Sequence, residues 1–157
     1  MIVYLGIGSN IQPELNINKA KQALTAAFDE VTFSRVYESA AVGFEGDNFH
    51  NLVARLETTM SLDALIEQLK AMEDSLGRLR EGAKFSSRHI DIDVLLYGDM
   101  VCELPIQLPR DEITENAYVL WPMAELAPEL IHPGTKDSYS ALWKAFDKSQ
   151  QQIRPLP

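Results

Sequence analysis

Only one cysteine, Cys102, occurs among the 157 residues. No disulfide can form within the chain and no thiolate metal cluster can be built, so the expected setting is a reducing cytoplasm, with Cys102 as a small apolar group. No apolar run approaches the roughly 18 residues that a membrane span requires. The opening Met1-Ile2-Val3-Tyr4-Leu5-Gly6 carries no basic leader of the secretory type. Cationic charge is scarce as well: 14 Lys and Arg stand against 23 Asp and Glu, a net charge of −9. That balance argues against nucleic acid as a general partner, because binding to a phosphate backbone rests on excess positive surface. Eight glycines and eight prolines are ordinary counts and exclude fibrous and low-complexity chains. What is present, 46% hydrophobic and 24% charged residues, has the composition of one compact soluble domain over 1–157.

Periodicity supplies the elements. The β-branched run from Ile2 to Gly8 predicts a buried strand. Ile17, Ala20, Leu24, Ala27 and Phe28 recur at spacings of three and four, which predicts a helix ending before Asp29. Val31 to Ser39 and Phe49 to Thr59 read as strands around a glycine-containing loop, Ala40 to Asn48. Ser61 precedes the helical stripe Leu62, Leu65, Leu69, Met72, Leu76, with Gly77 placed to close that helix. Arg88 to Tyr97 predicts another strand, Asn116 to Glu125 a helix despite Pro122, and Ser138 to Lys148 a last helix. The order is β-α-β-β-α-β with a C-terminal helical extension. It predicts an α+β fold, an antiparallel sheet with both main helices on one face.

The chemistry concentrates in His89-Ile90-Asp91-Ile92-Asp93-Val94. Strand side chains alternate, so Asp91 and Asp93 share a face at about 7 Å between Cα atoms, with Leu95 and Tyr97 expected to continue it. Two carboxylates that close repel unless a cation lies beside them. Oxygen-only ligands suit Mg²⁺, which is held by one or two carboxylates together with phosphate oxygens. A solvated acidic strand face is the plainer alternative. A transition-metal site that adds His89 lacks a second histidine at ligand spacing, and neither His50 nor His132 has such a neighbourhood. Just upstream, Arg78, Arg80, Lys84 and Arg88 crowd one segment in which Glu81 is the only acid, which suits a small polyanion. Gly6-Ile7-Gly8-Ser9-Asn10 matches neither a dinucleotide fingerprint nor a P-loop; its glycines permit close approach to something flat and polar.

Five segments in order carry a resemblance: Gly6-Ile7-Gly8-Ser9-Asn10; Phe49-His50-Asn51; Gly77-Arg78-Leu79-Arg80; Arg88-x-x-Asp91-Ile92-Asp93 with Leu96-Tyr97-Gly98; and Leu120-Trp121-Pro122-Met123-Ala124-Glu125-Leu126-Ala127-Pro128. Together they resemble the 6-hydroxymethyl-7,8-dihydropterin pyrophosphokinases of folate synthesis, from the first strand to about His132. The resemblance implies a ferredoxin-like fold, ATP as co-substrate, and transfer of its β,γ-pyrophosphoryl group to the pterin hydroxymethyl oxygen with release of AMP. It implies two Mg²⁺ ions on Asp91 and Asp93, with Arg78, Arg80 and Arg88 completing the catalytic set. Glu73, Arg80, Lys84, Arg88 and Arg110 fall on the ATP side. Gly8, Ser39, Val42, Phe49, Asn51, Phe85 and Tyr118 fall on the pterin side, Asn51 reading the pterin edge and Tyr118 stacking on the ring. A cytoplasmic monomer acting on small molecules, with no membrane or nucleic-acid partner, is the expected form.

This sequence also departs from the family. Lys84-Phe85-Ser86-Ser87-Arg88 replaces Arg-Trp-Gly-Pro-Arg, Pro109-Arg110 replaces Pro-His, and Asn116 stands where an arginine is typical. Ser39-Ala40-Ala41-Val42-Gly43 replaces Thr-Pro-Pro-Leu-Gly. The metal and pterin-edge features survive while the ATP side is altered. A diverged paralogue, binding a pterin or nucleotide with weak or different transfer, is therefore the alternative. A ferredoxin-like RNA-binding domain fits the topology but not the charge.

Overall fold

The computed structural model describes residues 1–40, 48–77, 90–149 and 151–156. Along the chain run β1 (Ile2–Ser9), α1 (Pro13–Ala27), β2 (Thr32–Phe33), β3 (Tyr37–Ser39), β4 (Phe49–Glu57), α2 (Leu62–Ser75), β5 (Asp91–Tyr97), α3 (Glu112–Glu115), α4 (Ala117–Leu126), α5 (Tyr139–Ala145) and β6 (Ile153–Pro155). The strands form one sheet in the order β5-β1-β4-β3-β6, with β2 also on β4, and every pairing is antiparallel. Counting β2 and β3 as one broken strand, this is the strand order of a ferredoxin-like βαββαβ core, with β6 added at the edge.

Helix punctuation follows local chemistry. Ser61 caps α2 by accepting the Ala64 amide at 3.2 Å, and Gly77 beyond its end has φ 94°, a left-handed conformation that glycine adopts without penalty. Ser138 caps α5 in the same way through Ala141. The last helix stops at Ala145 instead of Lys148, because Phe146 is already extended. On α1 the buried stripe is Ile17, Ala20 and Leu24, with Phe28 just past the helix end; Ala27, expected on that stripe, is exposed.

Alternation divides the sheet into two faces. Val3, Leu5 and Ile7 of β1, Leu52, Ala54 and Leu56 of β4, and Ile92 and Val94 of β5 pack with α1 and α2 in one apolar core, where Met72 fills space as expected and Cys102 packs at the margin. Tyr4, Val53 and Leu95 face the other way, against α3, α4 and α5.

Two irregularities lay outside the simple pattern. The strand expected over Val31 to Ser39 is broken, and its register on β4 advances by one residue between Phe33↔Ala54 and Tyr37↔Asn51. At the break, Ser34 Oγ accepts the Val53 amide at 3.0 Å. The second irregularity is a bulge in β5: Leu5 pairs with Val94 but Tyr4 with Leu96. The extra residue reverses the alternation, so Leu95 and Leu96 both join the second core while Tyr97 turns to the first. Tyr97 therefore does not continue the aspartate face; its hydroxyl donates to the Met60 carbonyl at 2.5 Å.

Candidate active site

Directly paired residues on neighbouring strands place their side chains on the same face. Gly8 of β1 lies between Asp91 of β5 and Asn51 of β4, and Gly6 lies between Asp93 and Val53. The second face of the sheet therefore has a trench between the acids and Asn51, floored by two residues without side chains and narrowed by Asn51 leaning over Gly8 and Leu95 over Gly6. The two acids form one wall and Asn51 the other, two strand spacings or about 10 Å apart. A side chain at either glycine would crowd its neighbour: a Cβ on Gly8 would sit 2.6 Å from Asn51 Oδ1 and displace that amide, and one on Gly6 would sit 3.3 Å from Leu95 Cδ2, a tight contact. Beyond Asn51, Tyr37 and Ser39 of β3 extend the wall, Ser39 pairing with Phe49, and Asn51 Nδ2 donates to Ser39 Oγ at 3.5 Å.

The acid end is electrostatically loaded. Asp93 is raised from an ordinary 3.8 to about 6, first by burial and next by the charge of Asp91. Arg110 pulls it down, while Glu73 and Glu112 push it further up. Arg110 donates to Glu112 at 3.1 Å, and its backbone amide bonds the Leu95 carbonyl. Glu73, buried on α2, comes from the opposite side of the sheet, and its Oε2 accepts the Ile92 amide at 2.7 Å, between the two aspartates. Tyr118, near the start of α4, has its hydroxyl pushed up to about 12 by burial and then by the charges of Glu112 and Asp93. Asn116 Nδ2 donates to that hydroxyl at 2.9 Å.

These donors fit a hard divalent cation. Two carboxylates lie side by side at the end of a buried face, and one of them is held above its ordinary range by burial and by its neighbour's charge, which Arg110 offsets only in part; a cation beside it would offset both.

The far end of α4 is clamped to the break between β2 and β3. Glu125 accepts the Arg35 amide at 2.9 Å and its Nε at 3.2 Å, and also accepts the Tyr37 hydroxyl. Burial and then Glu125 push Tyr37 up to about 12. Burial works to raise Glu125, yet the bonds from Tyr37 and Arg35 outweigh it and leave the carboxyl below its usual range.

The fold thus brings together Gly8, Ser39, Phe49, Asn51, Asp91, Asp93, Arg110 and Tyr118 on one face, with Glu73 behind it. Arg78, Arg80, Lys84, Phe85, Arg88, His89 and Val42 lie outside the described residues. Of the remaining histidines, His132 Nδ1 accepts the Gly134 and Thr135 amides at 3.0 Å each, and His50 pairs with Glu38 at 3.3 Å. Sequence reasoning missed Glu112, the Tyr37–Glu125 clamp and the Asn116–Tyr118 bond. Only the last had a local signal, an asparagine at a helix start.

Residues 4–128 match the family model described as 7,8-dihydro-6-hydroxymethylpterin-pyrophosphokinase (HPPK). A 2-amino-4-hydroxy-6-hydroxymethyldihydropteridine pyrophosphokinase of Aquifex aeolicus is 37% identical over 134 residues, 83% of each chain. The protein of the same name from Pseudomonas aeruginosa is 34% identical over 136 residues, again 83% of each. Among solved structures, HPPK-DHPS of Plasmodium falciparum superposes with a TM-score of 0.71 at 13% identity, over 91% of this chain. This chain spans 43% of that longer protein, a likeness of fold.

Proposed function

Because the chain belongs to the 7,8-dihydro-6-hydroxymethylpterin-pyrophosphokinase family, we propose that the glycine-floored trench is where it transfers pyrophosphate from ATP to the hydroxymethyl group of 6-hydroxymethyl-7,8-dihydropterin in folate synthesis, releasing AMP. The observation that carries this reading is the row Asp91–Gly8–Asn51 across three strands, which sets a cation-binding end and an amide-reading end on opposite sides of a flat floor.

Each residue then has a task. Gly8 leaves room for the Asn51 amide to lie against the backbone, Asn51 with Ser39 reads the polar edge of a planar ring, and Phe49 and Tyr118 bound it as aromatic walls. Val42 and Phe85 belong to the same pterin side. The acceptor hydroxyl is thereby directed toward Asp91 and Asp93. Mg²⁺, read as two ions, would be held by these two carboxylates and supplies charge neutralisation across the phosphates. Arg110 adds positive charge beside Asp93, and Arg78, Arg80, Lys84 and Arg88 complete the clamp on the triphosphate. Glu73 holds the Ile92 amide, so its contribution on the ATP side is to fix the strand that carries both acids.

The hydroxymethyl oxygen forms a bond to the β-phosphorus, the bond from that phosphorus to the α-bridging oxygen breaks, AMP leaves with that oxygen, and the hydroxyl proton passes to water. Positioning and charge do most of the catalysis, since phosphoryl chemistry of this kind asks little covalent help of the protein. The protein works as one domain and as a cytoplasmic monomer on small molecules; its net charge of −9 disfavours nucleic acid.

The test is product analysis after incubation with MgATP and the pterin. AMP formed one-to-one with pterin pyrophosphate is expected. ADP in its place, or nucleotide loss that does not depend on the pterin, would contradict the reading.

A further inference from the structure

We propose that Gln151, in the C-terminal tail, is a positioning residue for pterin binding, acting through Asn116 on Tyr118. The inference rests on the reading of Tyr118 as a wall of the pterin site. An asparagine before a helix ordinarily turns its side chain back to accept an amide of the first turn. Asn116 occupies that place, extended at φ −121° and ψ 125°, yet its side chain makes no capping bond to α4. Its amide goes instead to the Tyr118 hydroxyl, at 2.9 Å.

The first free amide of the helix, Ala117 N–H, is taken from outside, by Gln151 Oε1 at 2.7 Å. The other end of the same side chain, Nε2, donates to the Glu115 carbonyl at 2.9 Å. One glutamine therefore grips the peptide groups on both sides of Asn116, and so fixes the backbone that carries it. Asn116 is left free to hold the tyrosine.

The grip is anchored. Two residues on, Ile153–Pro155 forms β6 against β3, and Arg154 donates to Glu38 at 2.8 and 3.1 Å. Along all of β3, Tyr37, Glu38 and Ser39 pair with β6, and Tyr37 and Ser39 belong to the trench wall. The tail thus ties the sheet edge beside Asn51 to the helix start that presents Tyr118, and it does so beyond residue 128, where the family match ends.

The experiment uses the full chain, with steady-state kinetics in MgATP and the pterin. Gln151→Ala is expected to raise the KM for the pterin about three- to tenfold, the loss of one or two hydrogen bonds' positioning, with kcat and the KM for ATP unchanged. In a Tyr118→Phe background, which lacks the tethered hydroxyl, the further effect of Gln151→Ala on the pterin KM should vanish. An unchanged pterin KM in Gln151→Ala would overturn the proposal. So would an equal rise in the KM for ATP, or the same factor persisting without the hydroxyl, since either marks a merely structural cap. The same contrast is read from pterin dissociation constants measured by fluorescence without nucleotide, so a protein that released no AMP would count against the activity and not against the tether.

Discussion

Replacing Asp93 by Asn removes a proposed metal ligand and, at the same time, a charge that the metal-free fold holds unfavourably. A carboxyl raised from 3.8 to about 6 has an ionised form that costs the folded state about 2–3 kcal/mol at neutral pH. Between pH 3.8 and about 6 the folded protein binds more protons at this group than the unfolded chain does. The stability it contributes therefore falls as pH rises through that window, and the full penalty is present above it. In chelator, Asp93→Asn should unfold at higher urea than the native sequence at pH 8, by about 2–3 kcal/mol, and the gap should close as pH is lowered toward 4. His132 acts in the opposite sense: burial lowers its pKa, so stability is lost as pH falls below the ordinary 6.5. Both proteins carry it, and the difference between them cancels it. Added Mg²⁺ should stabilise the native sequence and leave the variant unmoved, while turnover of the variant falls by several orders of magnitude. A variant less stable at pH 8 in chelator, or a gap that does not change with pH, would refute the account of the acid pair.

Gly8→Ala should raise the pterin KM tenfold or more, by about 1.4 kcal/mol or above, because the new Cβ would meet Asn51 Oδ1 at 2.6 Å; steady-state kinetics with the pterin as varied substrate checks it. Glu125→Gln should destabilise the fold by about 1–3 kcal/mol, the cost of weakening bonds to a charged acceptor in a partly buried cluster. Much of that loss should disappear in a Tyr37→Phe background, as measured by urea denaturation of all four proteins in the cycle.

Much of the fold was legible because strong periodicity met clear punctuation. Ser61 and Gly77 frame α2, and the stripe between them is the buried one. Asp91 and Asp93 could be placed on one face from alternation alone, and the pairing with Gly6 and Gly8 explains why no bulk stands before them. The failures lie where alternation breaks. Alternation alone puts Tyr97 on the aspartate face, and it lies on the other because a bulge is a property of two paired strands; the strand of Val31 to Ser39 divides where a serine hydroxyl accepts the Val53 amide. Long-range contacts left no local trace: Gln151 reaches Glu115 and Ala117 from a polar tail whose spacing says nothing of its destination. Glu112 enters the site by way of Arg110 and Tyr118, a path set by tertiary packing.

The proposed trench has two separable ends, one that reads the pterin and one that bears the charge. Pterin affinity and AMP formation, measured side by side in Asn51→Ala and Asp93→Asn, tell the two ends apart. Asn51→Ala should lose pterin affinity by about tenfold or more yet still form AMP at saturating pterin. Asp93→Asn should bind the pterin as the native sequence does in the absence of nucleotide and form almost no AMP. Native-like turnover in Asp93→Asn, or unchanged pterin affinity in Asn51→Ala, would contradict this division.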